Sequence, residues 1–596
     1  MRLGIDTGGT FTDIAAWDGR QLLTRKVRST PQDPSLAILE GIAGLPATEI
    51  VHGSTVATNA LLERKGAKTA FLTTSGFDDL LRIGRQHRKH LYDLLGPGRA
   101  ELVPRRWTFG LQERTLCDGT IETALDEQEA RRLARHLRRQ GIESVAVCFL
   151  HSYANPANEL KVQAALEGLS VSLSHQILPE YREFERASTT LVNAYVSPLM
   201  ARYLNRLAGS LGSIPLHIMQ SNGGSISAAA AAERGIYSIQ SGPAGGVLGA
   251  VAVARCAGFD RVITFDMGGT STDVALHDRG YSFTQESELG DFPIRLPMLD
   301  IHSVGAGGGS IAFVDSGGAL RVGPQSAGAS PGPVCYGAGE RITITDANLF
   351  LQRIDPEKFL SGRMRLDPDR AARYLERFAR SQGVSARQMA LAIIEVANAN
   401  MERAMRAVSL ERGHDPREFA LVSFGGAGGL HACELAARLQ ISTVIVPRHA
   451  GVLSALGMLA ADCIRDYSRS VLHRPLEPAF VEMERRAASE FAGLGLTPPI
   501  CVRLLDLRYR GQSYEITLPY PERGQFDQEH QRLYGYHHEG REVEAVTARL
   551  RAISLTDKID FAAPSPAESF SSTYVPAGWQ ATEDPAGNLI LRRRPG

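Results

Sequence analysis

The chain carries no net charge: 65 basic side chains are matched by 65 acidic ones across 596 residues. With no long Lys/Arg run either, it offers no electrostatic footprint for nucleic acid. Long apolar runs are also missing. Stretches such as Val145 to Leu150 fall far short of the roughly 18 residues a membrane-spanning helix needs. The opening residues Met1 to Asp6 contain no continuous apolar signal core. The seven cysteines include no CxxC pair, and an odd count cannot complete a disulfide framework. These absences predict a cytoplasmic protein with no membrane and no nucleic-acid partner. The Lys-Ser/Thr of a P-loop, an HExxH pair, zinc-spaced clusters and a Ser-His-Asp order are all lacking, which removes several common catalytic plans. What remains, 43% hydrophobic and 22% charged, is an ordinary globular composition. At roughly 100–200 residues per domain the length suggests three to five structural units.

Glycine is the exception to this plainness. There are 59 copies, with clusters at 8–9, 223–224, 242–249, 268–269, 305–309, 317–318 and 425–429, most beside strand-like apolar runs, as in loops that bring backbone close to a ligand. Two clusters belong to a repeat. Residues 3–15 read LGIDTGGTFTDIA and residues 263–275 read ITFDMGGTSTDVA. Asp6, Gly8, Gly9, Thr10, Thr12 and Asp13 recur as Asp266, Gly268, Gly269, Thr270, Thr272 and Asp273. Each copy predicts a strand, a Gly-Gly turn and a return strand. The turn glycines let backbone N–H groups approach an anion, the threonines add hydroxyl donors, and Asp6 and Asp266 are placed to hold a hydrated divalent metal ion. Two such hairpins face to face would clamp a polyphosphate.

A third cluster follows the β-like run Leu421 to Phe424: Gly425, Gly426, Ala427, Gly428 and Gly429, then helical spacing from Leu430. A strand, a glycine turn and a helix start form a ready anion or nucleotide site. In this order the three motifs resemble the actin-like ATPase superfamily. The wording of His52–Ala60 (HGSTVATNA), Gln220–Gly224, Ser241–Gly246, Asp300–His302, Gly323–Gly339, Thr345–Asn348 and the 424–431 loop is similar to the hydantoinase/oxoprolinase family, in particular its A-type subunit. The resemblance covers residues 1 to about 465. It implies an α/β fold of two duplicated actin-like (ribonuclease H-like) lobes with an ATP cleft between them, ATP and Mg²⁺ as cofactors, and Gly425, Gly426 and Gly428 on the nucleotide.

The expected organisation is a first lobe at 1–180, a second at 181–465, a small C-terminal α+β domain at 466–560 and a flexible tail at 561–596. Within it an amphipathic helix is predicted for Asp126 to Gln140. Pro198 reads as a kink or junction.

Several residues carry two readings. Asp300 and His302, two apart on a predicted strand, would share a face and handle the phosphoryl acceptor or a second metal, or else simply stabilise the turn. His52 would serve the reacting group or cap a helix. His431 would contact nucleotide, a neighbouring loop or the core. Asp346 is a helix cap or a site residue, and SGPAGGVLGA at 241–250 reads as close helix packing, while the family resemblance implies proximity to the nucleotide site. The family resemblance implies an ATP-dependent hydrolase of a cyclic amide or imide (hydantoin, oxoproline or lactam type), working as a hetero-oligomer with a B-type subunit. The alternatives are an ATP-dependent ketone carboxylase subunit, or an actin-like chaperone or reactivating ATPase.

Overall fold

The computed structural model describes residues 1–30, 32–86, 99–521, 523–565 and 571–594. One plan is built twice. Strand Arg2–Thr7 pairs antiparallel with Phe11–Trp17 and parallel with Glu49–Ser54. Strand Arg261–Met267 pairs antiparallel with Thr272–Asp278 and parallel with Ala420–Phe424. The apolar residues of each hairpin are buried in separate cores, Leu3, Ile5 and Ile14 in one and Ile263, Phe265 and Val274 in the other.

Strand partnerships cut across the expected boundary at residue 180. Leu216–Met219 lies parallel beside Glu49–Ser54 in the first sheet, and Ser225–Ser227 pairs with it. Parallel neighbours need a long crossover, and the 29-residue helix Glu183–Leu211, continuous through Pro198, belongs to that connection. Its Val192, Val196 and Leu204 pack against Leu3, Ile5 and Ile50. A four-stranded parallel sheet, with Thr69–Thr74 and Ser144–Cys148 at its centre, stands beside this lobe. The amphipathic helix expected from Asp126 to Gln140 runs Glu127–Arg139, with Asp126 as its cap, and covers the sheet with Ala130, Ala134 and Leu137.

The C-terminal unit has its own core around Phe480, Tyr509 and Phe526. Its strands nevertheless extend the first sheet to ten, joined through the Ser225–Cys463 pair. The expected flexible tail is a further correction. Trp579–Glu583 and Leu589–Arg593 form a hairpin added to Thr443–Val446, completing a seven-stranded sheet. Trp579, Ile590 and Leu591 are buried there. The Ala-, Pro- and Ser-rich residues around them dilute that short apolar pattern.

Two helices cross between the sheets. Ser241–Cys256 and Leu453–Leu459 meet through glycine: an added Cβ at Gly457 would stand 1.8 Å from the Gly245 carbonyl oxygen. This is the close packing read from SGPAGG. Among the described residues no helix is long and apolar enough to cross a membrane.

Candidate active site

Register decides what each hairpin presents. Asp6 lies opposite Asp13, and Asp266 opposite Asp273. Because successive strand residues face opposite sides, Asp13 turns to the cleft while Thr12 turns away. Asp6, Asp13 and Asp266, the turn residues Gly9, Thr10 and Gly268–Thr270, and Gly425 and Gly426 line one cavity of about 510 Å³. The two copies of the repeat therefore converge, and the third glycine cluster meets them.

The carboxylates are poorly balanced. Burial, then Asp13, push Asp6 up to about 7, and Lys26 only partly opposes this. Burial holds Asp266 well above the usual carboxylate range, with Asp273, Asp6 and Asp13 adding repulsion. Asp13 is raised by burial despite Lys26 at 2.6 Å, and Asp273 is raised by burial against one Ser303 hydrogen bond. Such a site favours a cation.

Backbone is pressed close to these acids. An added Cβ at Gly425, where φ is +79°, would lie 2.4 Å from Asp266 Oδ1, and one at Gly242 would lie 3.0 Å from Asp6 Oδ1. Gly308 and Gly309 donate to the Gly268 and Gly269 carbonyls at 3.0 and 2.7 Å, bracing the second turn. Another part of the cavity is apolar. Tyr336 and Phe359, with ring centroids 5.8 Å apart, line it with Ile354, Met364 and Leu430. Carboxylates beside glycine turns, with an aromatic-lined pocket adjoining, fit a cation-bearing polyphosphate attached to a planar base. Among the described residues no group of three His, Cys, Asp or Glu side chains could hold a metal by itself. A divalent ion would therefore take further oxygens from water and phosphate, as Mg²⁺ commonly does.

Several expected site residues lie elsewhere. Thr12 is fully buried with its hydroxyl 3.1 Å from Ser29, and Thr272 donates to the Ala306 carbonyl at 2.5 Å. Both are structural, on the strand face away from the cavity. Gly8 closes its turn through Phe11, and Gly428 packs on Ser423. His52 points into the core, since it is Gly53, not His52, that pairs with Asp6. Its Nδ1 lies 3.2 Å from the Ile5 carbonyl and its Nε2 2.7 Å from the Tyr203 hydroxyl, and burial lowers its pKa to about 4. Asp300 and His302 separate as well. Asp300 is buried in an ion pair with Arg412, whereas His302 is exposed on the strand Ile301–Val304. That removes the basis for a second metal there.

His431 is a core residue. Its Nδ1 lies 2.7 Å from Asn398 Oδ1 and its Nε2 3.1 Å from Asn348 Nδ2, tying the 345–348 segment to the long helix Ala386–Val408. Asp346 forms a capping box with Thr343 and accepts the Val334 and Cys335 amides.

Other wall residues were not legible as such in the sequence. The repeat flagged Asp13, but Lys26 becomes a site residue only through its strand pairing with Asp13. Ser571 and Ser572 reach the cavity from the C-terminal segment with no motif to announce them.

Residues 2–169 match the hydantoinase/oxoprolinase N-terminal region, and residues 186–467 match hydantoinase/oxoprolinase. An uncharacterised protein of Methanocaldococcus jannaschii is 38% identical over 98% of this chain and 92% of its own. The caprolactamase subunit alpha of Pseudomonas jessenii is 37% identical over 93% and 87% respectively. Against 5-oxoprolinase 1 of Arabidopsis thaliana the identity is 33% over 98% of this chain, which spans only 53% of that protein. Among solved structures, the ATP-dependent caprolactamase of P. jessenii superposes with a TM-score of 0.87 at 32% identity, covering 100% of both chains. Nucleotide-free acetone carboxylase gives 0.78 at 25%, covering 100% of this chain and 99% of its own.

Proposed function

Since the chain belongs to the hydantoinase/oxoprolinase family, we propose that it is the ATP-binding subunit of an ATP-dependent cyclic amide hydrolase. The observation that carries this reading is the convergence of Asp6 and Asp266, from the two copies of one repeat, on a single cavity with an adjoining aromatic pocket. Bound MgATP would supply the phosphoryl group that makes a poorly electrophilic lactam or imide carbonyl open to attack.

This chain's own groups orient and select. Asp6 and Asp266 would hold the cation that accompanies the nucleotide. The amides of Gly9, Thr10, Gly269 and Thr270 would take the phosphate oxygens, since no Cβ shields the glycine backbone, whereas the Gly268 amide already donates to the Ser271 carbonyl at 3.1 Å. Gly425 lets its loop close over Asp266. Tyr336, Phe359 and Ile354 receive the base. Fixed dipoles and charges of this kind supply most of the catalysis in phosphoryl transfer.

Ring opening then requires a second centre, and among the described residues lining the cavity there is no histidine or cysteine. We assign that centre to a B-type partner subunit in a cytoplasmic hetero-oligomer. The alpha-subunit designation of the caprolactamase relative and the longer 5-oxoprolinase chains support this division, and the seven free cysteines agree with a reducing compartment. The likeness to acetone carboxylase along the whole chain supports one second reading, a ketone carboxylase subunit.

The test is calorimetric titration of the chain with MgATP, followed by turnover assays with and without the partner over a panel of cyclic amides and ketones. The expected result is nucleotide binding by the chain alone and amide-stimulated ATP consumption only with the partner. Stimulation by ketones and bicarbonate instead would select the carboxylase. ATP turnover indifferent to every small substrate would leave the actin-like chaperone.

A further inference from the structure

Apart from the cleft, a cavity of about 270 Å³ opens where three parts of the chain meet. His175 comes from beside the small parallel sheet, Arg234 and Tyr237 from the turn before the helix Ser241–Cys256 with Gln285 from the strand Phe283–Leu289, and Arg486 and Arg551 from the C-terminal unit. Five arginines and three carboxylates line it. Four of the arginines are already neutralised. Arg469 pairs with Glu482, Arg486 with Glu490 at 2.8 Å, Arg549 with Asp506 at 2.6 Å, and Arg551 with Asp466 at 2.7 Å.

Arg234 differs. Among the described residues no hydrogen bond or ion pair closes on its guanidinium, although its field reaches Glu490. The side-chain oxygen of Gln285 is buried with no hydrogen-bond partner. His175 adds a fixed polar edge to the wall, its Nδ1 held 2.6 Å from the fully buried Glu159. A buried polar atom without a partner costs free energy that a complementary ligand recovers. With the other charges paired off, the cavity asks for one anion and one hydrogen-bond donor.

We propose that this cavity is a second small-molecule site, taking an amino carboxylate whose acid group pairs with Arg234 and whose ammonium donates to Gln285. Its size suits a ligand smaller than a nucleotide. Because the walls come from three units, occupancy ties those units together. The inference stands on the cavity alone, independently of the reaction proposed above. Two sources share this chemistry: free α-amino acids, and ω-amino acids of the kind that lactam opening releases.

The experiment uses the full chain without nucleotide or partner, titrated calorimetrically and by thermal shift with glutamate, 6-aminohexanoate, acetate and butylamine. At least one of the two amino acids should bind and raise Tm, with acetate and butylamine weaker by about tenfold or more. Arg234→Gln should weaken that binding at least about tenfold, and Gln285→Leu should weaken it severalfold, while both keep wild-type MgATP affinity. Preference for 6-aminohexanoate assigns the site to a released product, and preference for glutamate to the free amino-acid pool. No binding of either at about 10 mM, unchanged affinity in both variants, or acetate binding as tightly as the amino acids would overturn the proposal.

Discussion

In the first hairpin the carboxylate opposite Asp6 has a cation of its own, since Lys26 reaches Asp13 and the Gly451 carbonyl. In the second, the equivalent Asp273 receives, among the described residues, only the Ser303 hydroxyl. Backbone geometry is duplicated, yet charge is not. The first half is partly self-neutralised, whereas in the second burial outweighs the Ser303 hydrogen bond at Asp273, and Asp266 is eased only by the more distant Lys26. The glycine contacts follow the same asymmetry, with Gly425 crowding Asp266 more tightly than Gly242 crowds Asp6. A repeat thus preserves the register that aims its side chains while the neighbouring strands decide how each half is balanced.

The largest effect should come from removing either carboxylate. Asp266→Ala and Asp6→Ala are each expected to lower ATP turnover of the assembled enzyme by at least about 100-fold, read from steady-state phosphate release. Near-normal turnover in one of them would break the two-sided clamp. Next comes Gly425→Ala, whose Cβ has no room beside Asp266 and whose positive φ strains any side chain. MgATP affinity should drop by about tenfold or more, since a displaced charge contact is worth that much. Gly426→Ala, with nothing within 4 Å of its added Cβ, should bind normally, and equal losses would dissolve the distinction.

How much of this was readable from the chain follows from the length scale of each signal. The hairpins were legible because strand, turn and return strand lie within thirteen consecutive residues and occur twice. Gly425 was legible by its position after an apolar strand. His52 was misread because a histidine in a polar-looking segment does not reveal which strand face it occupies, and that depends on pairing with residues 47 positions earlier. Asp300 was misread because its partner Arg412 lies 112 positions away. The two-residue spacing of Asp300 and His302 set their faces only if both sat within one regular strand, and Asp300 precedes it.

Smaller effects bear on stability and sharpen the contrast between cleft and core. Burial raises Asp6, so its native form binds a proton more tightly than the unfolded chain. Its contribution is complete below about pH 4 and is lost as pH rises through about 7. Asp6→Asn should therefore raise the Tm of the nucleotide-free protein at pH 8 by about 2 °C while abolishing turnover, whereas a lower Tm would contradict the frustrated-carboxylate picture. His52 has the opposite sign. Its depressed pKa favours the neutral ring, so its contribution is present above about 6.5 and lost as pH falls toward 4. His52→Ala should cost about 1–3 kcal/mol of stability in denaturant titration with little change in turnover per folded molecule. The smallest effect is expected for the exposed His302: His302→Ala should alter small-substrate turnover less than about twofold, as for an ordinary surface substitution.

The hairpin at Trp579–Arg593 has one further consequence, for the order of events during synthesis. Just before it, the Ser572 and Tyr574 amides hydrogen-bond to the Gly426 and Gly429 carbonyls. On the opposite lobe, the Leu22 amide bonds to the Pro564 carbonyl and Arg2 bonds to the Asp557 carbonyl. Segments of both lobes are thus fastened by residues that leave the ribosome well after both glycine hairpins. Contacts so distant in sequence form late, so a nascent chain would hold both glycine hairpins well before it could retain a nucleotide.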